Sequence, residues 1–202
     1  MLFFTLKFAN ERIVVDLKEA AKVFRTMGGM IDAQAKAILL EEGKNATGML
    51  SESIQHEVMM DDTSVWIAWP DIMPYWDFVE QGVQGFISNA KAPQSPFKFG
   101  SGTGPKGALR PAIRQWIVDK PVGQWRDLAT GRFMSYDGMA KLISRKVYLH
   151  GIAPTPFMRP TIRTHFTMYK KKLEAAYNVD IGNAIGVWLK SKSTEFIAEY
   201  KI

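Results

Sequence analysis

The chain carries one literal dinucleotide fingerprint, three histidines, two serines beside an acid, and no cysteine. Gly102-Thr103-Gly104-Pro105-Lys106-Gly107 matches G-x-G-x-x-G, whose glycines let backbone close around a pyrophosphate. That chemistry needs a buried strand just before the loop, and here Pro93-Gln94-Ser95-Pro96 precedes it. Pro105 also removes an N–H that should face a phosphate. The Walker pattern fails too, because Lys106 comes before the last glycine and no Ser or Thr follows it. His56, His150 and His165 form no metal-ligand spacing with one another or with a carboxylate. A hydrolytic triad can be drawn through Ser51 or Ser53, but no nucleophile-elbow pattern surrounds either. Glu41-Glu42 and Asp61-Asp62 read as solvated acids rather than an acid–base pair. The absence of cysteine excludes disulfides, thiolate metal sites and a cysteine nucleophile. The expectation is a non-enzymatic protein with no cofactor and no metal.

The elements that would position these residues follow from periodicity. Asp16 and Glu19 form a capping-box-like pair ahead of Leu17, Ala20, Phe24, Met27, Ile31, Ala35 and Ile38, the apolar stripe of a long helix. Gly28-Gly29 interrupts it and predicts a kink or a close packing contact, and Gly43 is a suitable stop. Leu2, Phe3, Phe4, Leu6 and Phe8 read as a strand, since the segment lacks the marks of a signal peptide. Residues 55–60 and 64–69 predict a hairpin around Asp61-Asp62-Thr63. His56 is expected on its strand face. Residues 75–80 predict a short helical or turn segment.

From Gly82 to Gly107 the chain is rich in Gly, Pro and Ser, which predicts a loop that is mobile in the free subunit. Helices are expected over Leu109–Ile117 and Met139–Val147, with His150 at a helix end. Pro160 should start a helix with Ile162, Phe166, Tyr169 and Leu173 inward and His165 outward. A separate helix over 183–189 and a terminal strand or docking arm should follow. Phe157 is expected in the core beside the N-terminal helix. The fold class is α+β: a small antiparallel sheet packed against a long N-terminal helix, with a helical insertion and C-terminal helices. Residues 1–82 and 151–202 read as the core domain, and 83–150 as the insertion.

Three segments stand out within this frame: Thr47-Gly48-Met49-Leu50-Ser51-Glu52-Ser53-Ile54, then Tyr75-Trp76-Asp77-Phe78-Val79-Glu80-Gln81-Gly82, then Ala153-Pro154-Thr155-Pro156-Phe157-Met158-Arg159-Pro160-Thr161-Ile162. In this order, after an amphipathic helix, they resemble the tail-completion and head–tail joining proteins of long-tailed bacteriophages. The resemblance covers about residues 16–82 and 150–177 and says little about the stretch between. It implies a structural virion protein, made in the host cytoplasm, that forms a homo-oligomeric ring at the head–tail junction or tail top. A hexamer is implied on the tail and a dodecamer against the portal side. The implied partners are neighbouring neck, portal-adaptor or tail-tube proteins and the genomic DNA that passes through the channel, with no membrane.

Charge and aromatic content bear on partners independently. Residues 106–172 hold 14 Lys and Arg against three acids, whereas residues 1–105 hold 9 against 13. That asymmetry points either to contact with nucleic acid or an acidic protein surface or, equally, to a solvated basic face, and the alternative function is a nucleic-acid-binding module built on 106–172. Arg110, Arg114, Arg145 and Lys146 are the basic contact candidates, with an acidic neighbour slightly favoured over channel DNA. Trp66, Trp69, Tyr75, Trp76 and Phe78 crowd into 13 positions, more aromatic surface than one hairpin can bury, and so are candidates for a subunit interface. Glu80 has two open roles: a capping or turn hydrogen bond within the subunit, which is preferred, or an ion pair across a ring interface to an arginine such as Arg159. Arg159 itself stands at a helix start, an unfavourable place for a cation, which points to a specific acidic partner, with a satisfied surface arginine as the alternative.

Overall fold

The computed structural model of the chain describes residues 6–8, 11–13, 15–44, 47–61, 64–101, 107–120 and 122–199. The elements are β1 (Leu6–Phe8), β2 (Glu11–Ile13), α1 (Lys18–Glu41), α2 (Met49–Ser53), β3 (Glu57–Met60), β4 (Val65–Ala68), α3 (Trp76–Gln81), α4 (Leu109–Asp119), α5 (Tyr136–His150) and α6 (Arg159–Glu199). The architecture is α+β. Strands β1 and β2 pair antiparallel with Lys7 opposite Arg12, and β3 pairs with β4 with Val58 opposite Ile67. Leu2, Phe3, Phe4, Asp62-Thr63 and Gly102–Lys106 lie outside the described residues.

Two units divide the chain, 1–34 with 54–71 and 161–202, and 35–53 with 72–160. The cut does not follow the sequence boundaries at 82/83 and 150/151. The segment 83–101 is hydrogen-bonded to residues on both sides of those boundaries, so the expected insertion belongs to the larger body of the second unit.

In the first unit Leu17, Ala20, Phe24, Met27 and Ile31 are buried along α1, as their three- and four-residue spacing requires. Burial of each of the larger side chains is worth about 1.5–3 kcal/mol. Gly28 lets the β3–β4 hairpin close on the helix. A Cβ there would lie 2.3 Å from the His56 ring and 2.6 Å from Ile67. The helix runs on without interruption, so the packing alternative holds and not the kink.

The start of α1 departs from the sequence reading. Asp16 pairs with Lys18 on the surface. The free N–H groups of Glu19 and Ala20 instead donate to the buried Asp180 carboxylate, at 3.0 and 2.9 Å. A residue 160 positions away thus caps the helix, and neither Asp16 nor Glu19 does so.

Helix α6 is a single element of 41 residues, about 60 Å at 1.5 Å per residue. The expected break before 183 and the terminal strand are absent over the described part, because Gly182 and Gly186 lower helix propensity without stopping a helix. Its buried row is Thr161, His165, Tyr169, Leu173, Ala176 and Asp180. Tyr169 and Leu173 face inward as expected, but in the first turns Thr161 and His165 take the inward places of Ile162 and Phe166: Phe166 is exposed, and His165 is buried with Nε2 on Gln34 Oε1 at 2.7 Å. The apolar pattern alone could not place a polar His and Asp inside.

In the second unit Ala35 and Leu39 continue the α1 stripe, and Leu50 is buried with them. Helices α4 and α5 form a small core of Ile117, Met139 and Ala140, flanked by Ile113, Met134 and Ile143. Ser135 caps α5 by accepting from Gly138 N at 3.1 Å, and His150 ends it exposed. The segment 82–101 is tied down within this unit, contrary to the mobile loop expected from composition. Ser95 is buried and donates to Gly82 O at 2.7 Å, Gln84 Nε2 donates to Ser95 O at 2.7 Å, and Phe97 packs edge-on to Phe78. Side-chain-to-backbone bonds supply the order that apolar area does not.

Candidate functional site

Three separated segments meet in the second unit, and one carboxylate holds two of them. Glu80 stands in the last turn of α3, buried. Its Oε2 accepts from Phe157 N at 2.9 Å and Met158 N at 2.8 Å, and its Oε1 accepts from Arg159 N at 3.0 Å. These are the free N–H groups at the start of α6, where the helix dipole favours an anion. Glu80 therefore takes the capping role, with no side-chain ion pair to Arg159.

Gly82, two residues on, adopts φ +70°, and a Cβ there would fall 2.5 Å from Ile152 O. Its bareness lets Val83 bridge Ile152, with N–H···O distances of 3.0 and 2.8 Å. Thr155 N donates to Val79 O at 2.9 Å beside it. The Thr47–Ile54 segment joins through Ser53, whose Oγ donates to Leu50 O at 2.8 Å and accepts from Met73 N at 3.1 Å. Those bonds occupy the hydroxyl structurally. Phe157 is fully buried in this unit.

Arg159 finds its acid within the unit. Its guanidinium meets Asp77 Oδ1 at 2.9 Å and stands 5.7 Å from the Trp76 ring. Asp77 also accepts from Gln81 Nε2 at 2.8 Å. The sequence reading missed Asp77, although its place four residues before Gln81 on a short helix was legible. The pair is half-exposed and contributes little, about 0–1 kcal/mol. An external acidic partner for Arg159 is not needed.

The five aromatics divide between the two units. Trp66 and Trp69 belong to the first unit, and Tyr75, Trp76 and Phe78 to the second. Trp69 Nε1 donates to Asp32 Oδ1 at 2.6 Å, and Asp32 Oδ2 accepts from His56 Nδ1 at 2.6 Å. This Asp–His pair has the form of a base and its orienter, yet no hydroxyl among the described residues is hydrogen-bonded to His56. It joins α1 to the hairpin. In the second unit Tyr75 and Phe78 are exposed and line a pocket of about 120 Å³ with Lys44, Val79, Ile152 and Ala153. Partial burial pushes the Tyr75 phenol up from its ordinary value.

The basic segment divides into paired and unpaired groups. Arg114 Nε lies 3.3 Å from Asp137 Oδ1, and Arg110 reaches the Asp137 carbonyl at 3.5 Å. Lys120 donates to Gly43 O at 2.8 Å. Arg126 covers the Phe133 ring at 4.3 Å. On α5, Lys141, Arg145 and Lys146 are exposed and have no carboxylate partner among the described residues. Arg145 and Lys146 are thus the two of the four basic candidates left free.

Among the described residues no three His, Asp or Glu side chains gather as metal ligands, and no helix is long and apolar enough to cross a membrane. No family model, no curated protein and no solved structure matches the chain.

Proposed function

We propose that this chain is a structural subunit of a ring at the head–tail junction of a long-tailed bacteriophage, acting by assembly and not by catalysis. The observation that carries this reading is the convergence of the three motif segments. Ser53 of the first accepts from Met73 just ahead of the second, and Glu80 of the second caps the helix begun by the third. Residues 77 to 79 positions apart along the chain act as one hydrogen-bonded body, so the resemblance rests on a connected arrangement. The exposed Tyr75 and Phe78 beside it suit a neighbouring subunit, since aromatics are enriched where interfaces bury surface.

A second reading, nucleic-acid binding, draws on the unpaired Lys141, Arg145 and Lys146. It is weaker, because the arginines of α4 are engaged by Asp137 and a connector must let DNA slide. The test is imaging of purified virions together with protein analysis of their necks. The chain is expected as a ring around the DNA channel. Its absence from particles would overturn the proposal, and a free protein whose DNA affinity falls steeply with salt would favour the second reading.

A further inference from the structure

The outer face of α5 joins unpaired cations to uncovered apolar surface. Lys141 and Arg145 stand one turn apart, with Tyr148 three residues beyond, opposite the buried Met139 and Ala140. Leu142 on this face is 49% exposed. The loop after α3 adds to it: Phe86 N donates to Tyr148 O at 2.8 Å and Ile87 N to Leu149 O at 3.1 Å, which fixes both residues against the helix end. Phe86 stacks on Tyr148 yet stays 52% exposed, and Ile87 is 62% exposed. Aliphatic Ile87 and Leu142 gain nothing from a phosphate backbone. The mixture fits an acidic protein segment that carries its own apolar side chain.

The same unit contains such a segment. Leu40 is 68% exposed at the end of α1, followed by the exposed Glu41 and Glu42. Two anions here stand where the helix already carries partial negative charge, and the last turn of α1 holds no basic residue. Lys120 reaches the Gly43 carbonyl, but the two carboxylates have no ion pair among the described residues. Lys120 answers the helix end, and the two carboxylates stay available to an external cation.

We infer that the α1 terminus of one copy docks on the α5 face of the next, with Leu40 against Leu142 and Ile87, and Glu41 and Glu42 against Lys141, Arg145 and Lys146. The two surfaces differ, so the contact is head-to-tail, the kind that closes into a ring when its rotation divides evenly. The inference rests on the ring reading and names its interface.

Charge reversal tests it. Glu41→Lys/Glu42→Lys and Lys141→Glu/Arg145→Glu are made separately and checked for folding by circular dichroism, then studied by sedimentation over a range of concentration and salt. Wild type should self-associate, more tightly at low salt, and each reversed pair should weaken association by at least about tenfold. An equimolar mixture of the two variants should regain it, because each reversed surface then meets its complement. A wild type that stays monomeric throughout overturns the contact, as do reversals without effect or a mixture that stays apart. Retention of a short DNA duplex by Lys141 and Arg145 without self-association also overturns it, in favour of a nucleic-acid face. Particles that contain the chain while association survives the reversals leave the ring reading standing and place its interface elsewhere. Absence from particles sinks the ring reading even where the contact forms.

Discussion

Removing the Glu80 carboxylate should loosen the start of α6 more than any surface change can. Three N–H groups depend on it, those of Phe157 and Met158 in buried bonds and that of Arg159 partly exposed. A buried donor left without an acceptor costs about 1–3 kcal/mol, and loss of a helix cap costs about 0.5–2 kcal/mol. Water can reach the Arg159 N–H, and the space left by Glu80→Ala admits one molecule to serve a second. The expected loss is therefore about 3–4 kcal/mol, which at this chain length lowers Tm by roughly 6–16 °C. Glu80→Gln should cost less, about 1–2 kcal/mol. Its oxygen still accepts from Phe157 and Met158, while its NH₂ faces the Arg159 donor. Thermal melts give the order wild type, Gln, Ala, and hydrogen exchange at 157–159 gives the site. If Glu80→Ala melts within about a degree of wild type and these amides keep their protection, the carboxylate is not holding the helix and the capping argument fails.

The two adjacent glycines of α1 should respond with opposite signs. Gly28→Ala forces a Cβ into the His56 ring and should destabilise by about 1–3 kcal/mol, whereas Gly29 has nothing within 4 Å and Gly29→Ala should stabilise by about 0.5–1 kcal/mol in urea unfolding. Asp180→Ala should cost about 1–2 kcal/mol and release the amides of Glu19 and Ala20 to exchange, although the substitution lies in α6. The Asp127 carboxyl, held below its ordinary value of 3.8 by the backbone N–H of Thr130 first and by the Thr130 hydroxyl and Ala129 N–H after it, should titrate below that value by NMR. Since its folded value is depressed, its contribution is present above the unfolded value and disappears as pH falls through the folded one. Wild type and Asp127→Ala should accordingly converge in stability at the acid end and differ at neutral pH.

The sequence by itself determined most of the elements, though not β2 or the unbroken run of α6. The three- and four-residue apolar steps from Leu17 to Ala35, the turn acids between residues 60 and 64, and the terminators Gly43 and Gly151 are local signals, and local backbone physics obeys them. It also preferred the capping role of Glu80, which the structure shows, because an acid that follows the apolar Phe78-Val79 stands beside surface that folding buries. What the tertiary structure alone decided is who satisfies whom across the chain. The α1 cap comes from Asp180, and Asp16 and Glu19 play no part in it. His165 and not Phe166 faces inward on α6, and Asp77 answers Arg159. Of the four basic candidates the free ones are on α5, since α4 spends its arginines on Asp137. Each of these is a polar group choosing one partner among several within reach. A hydrogen bond selects by distance and burial, which periodicity along the chain does not carry.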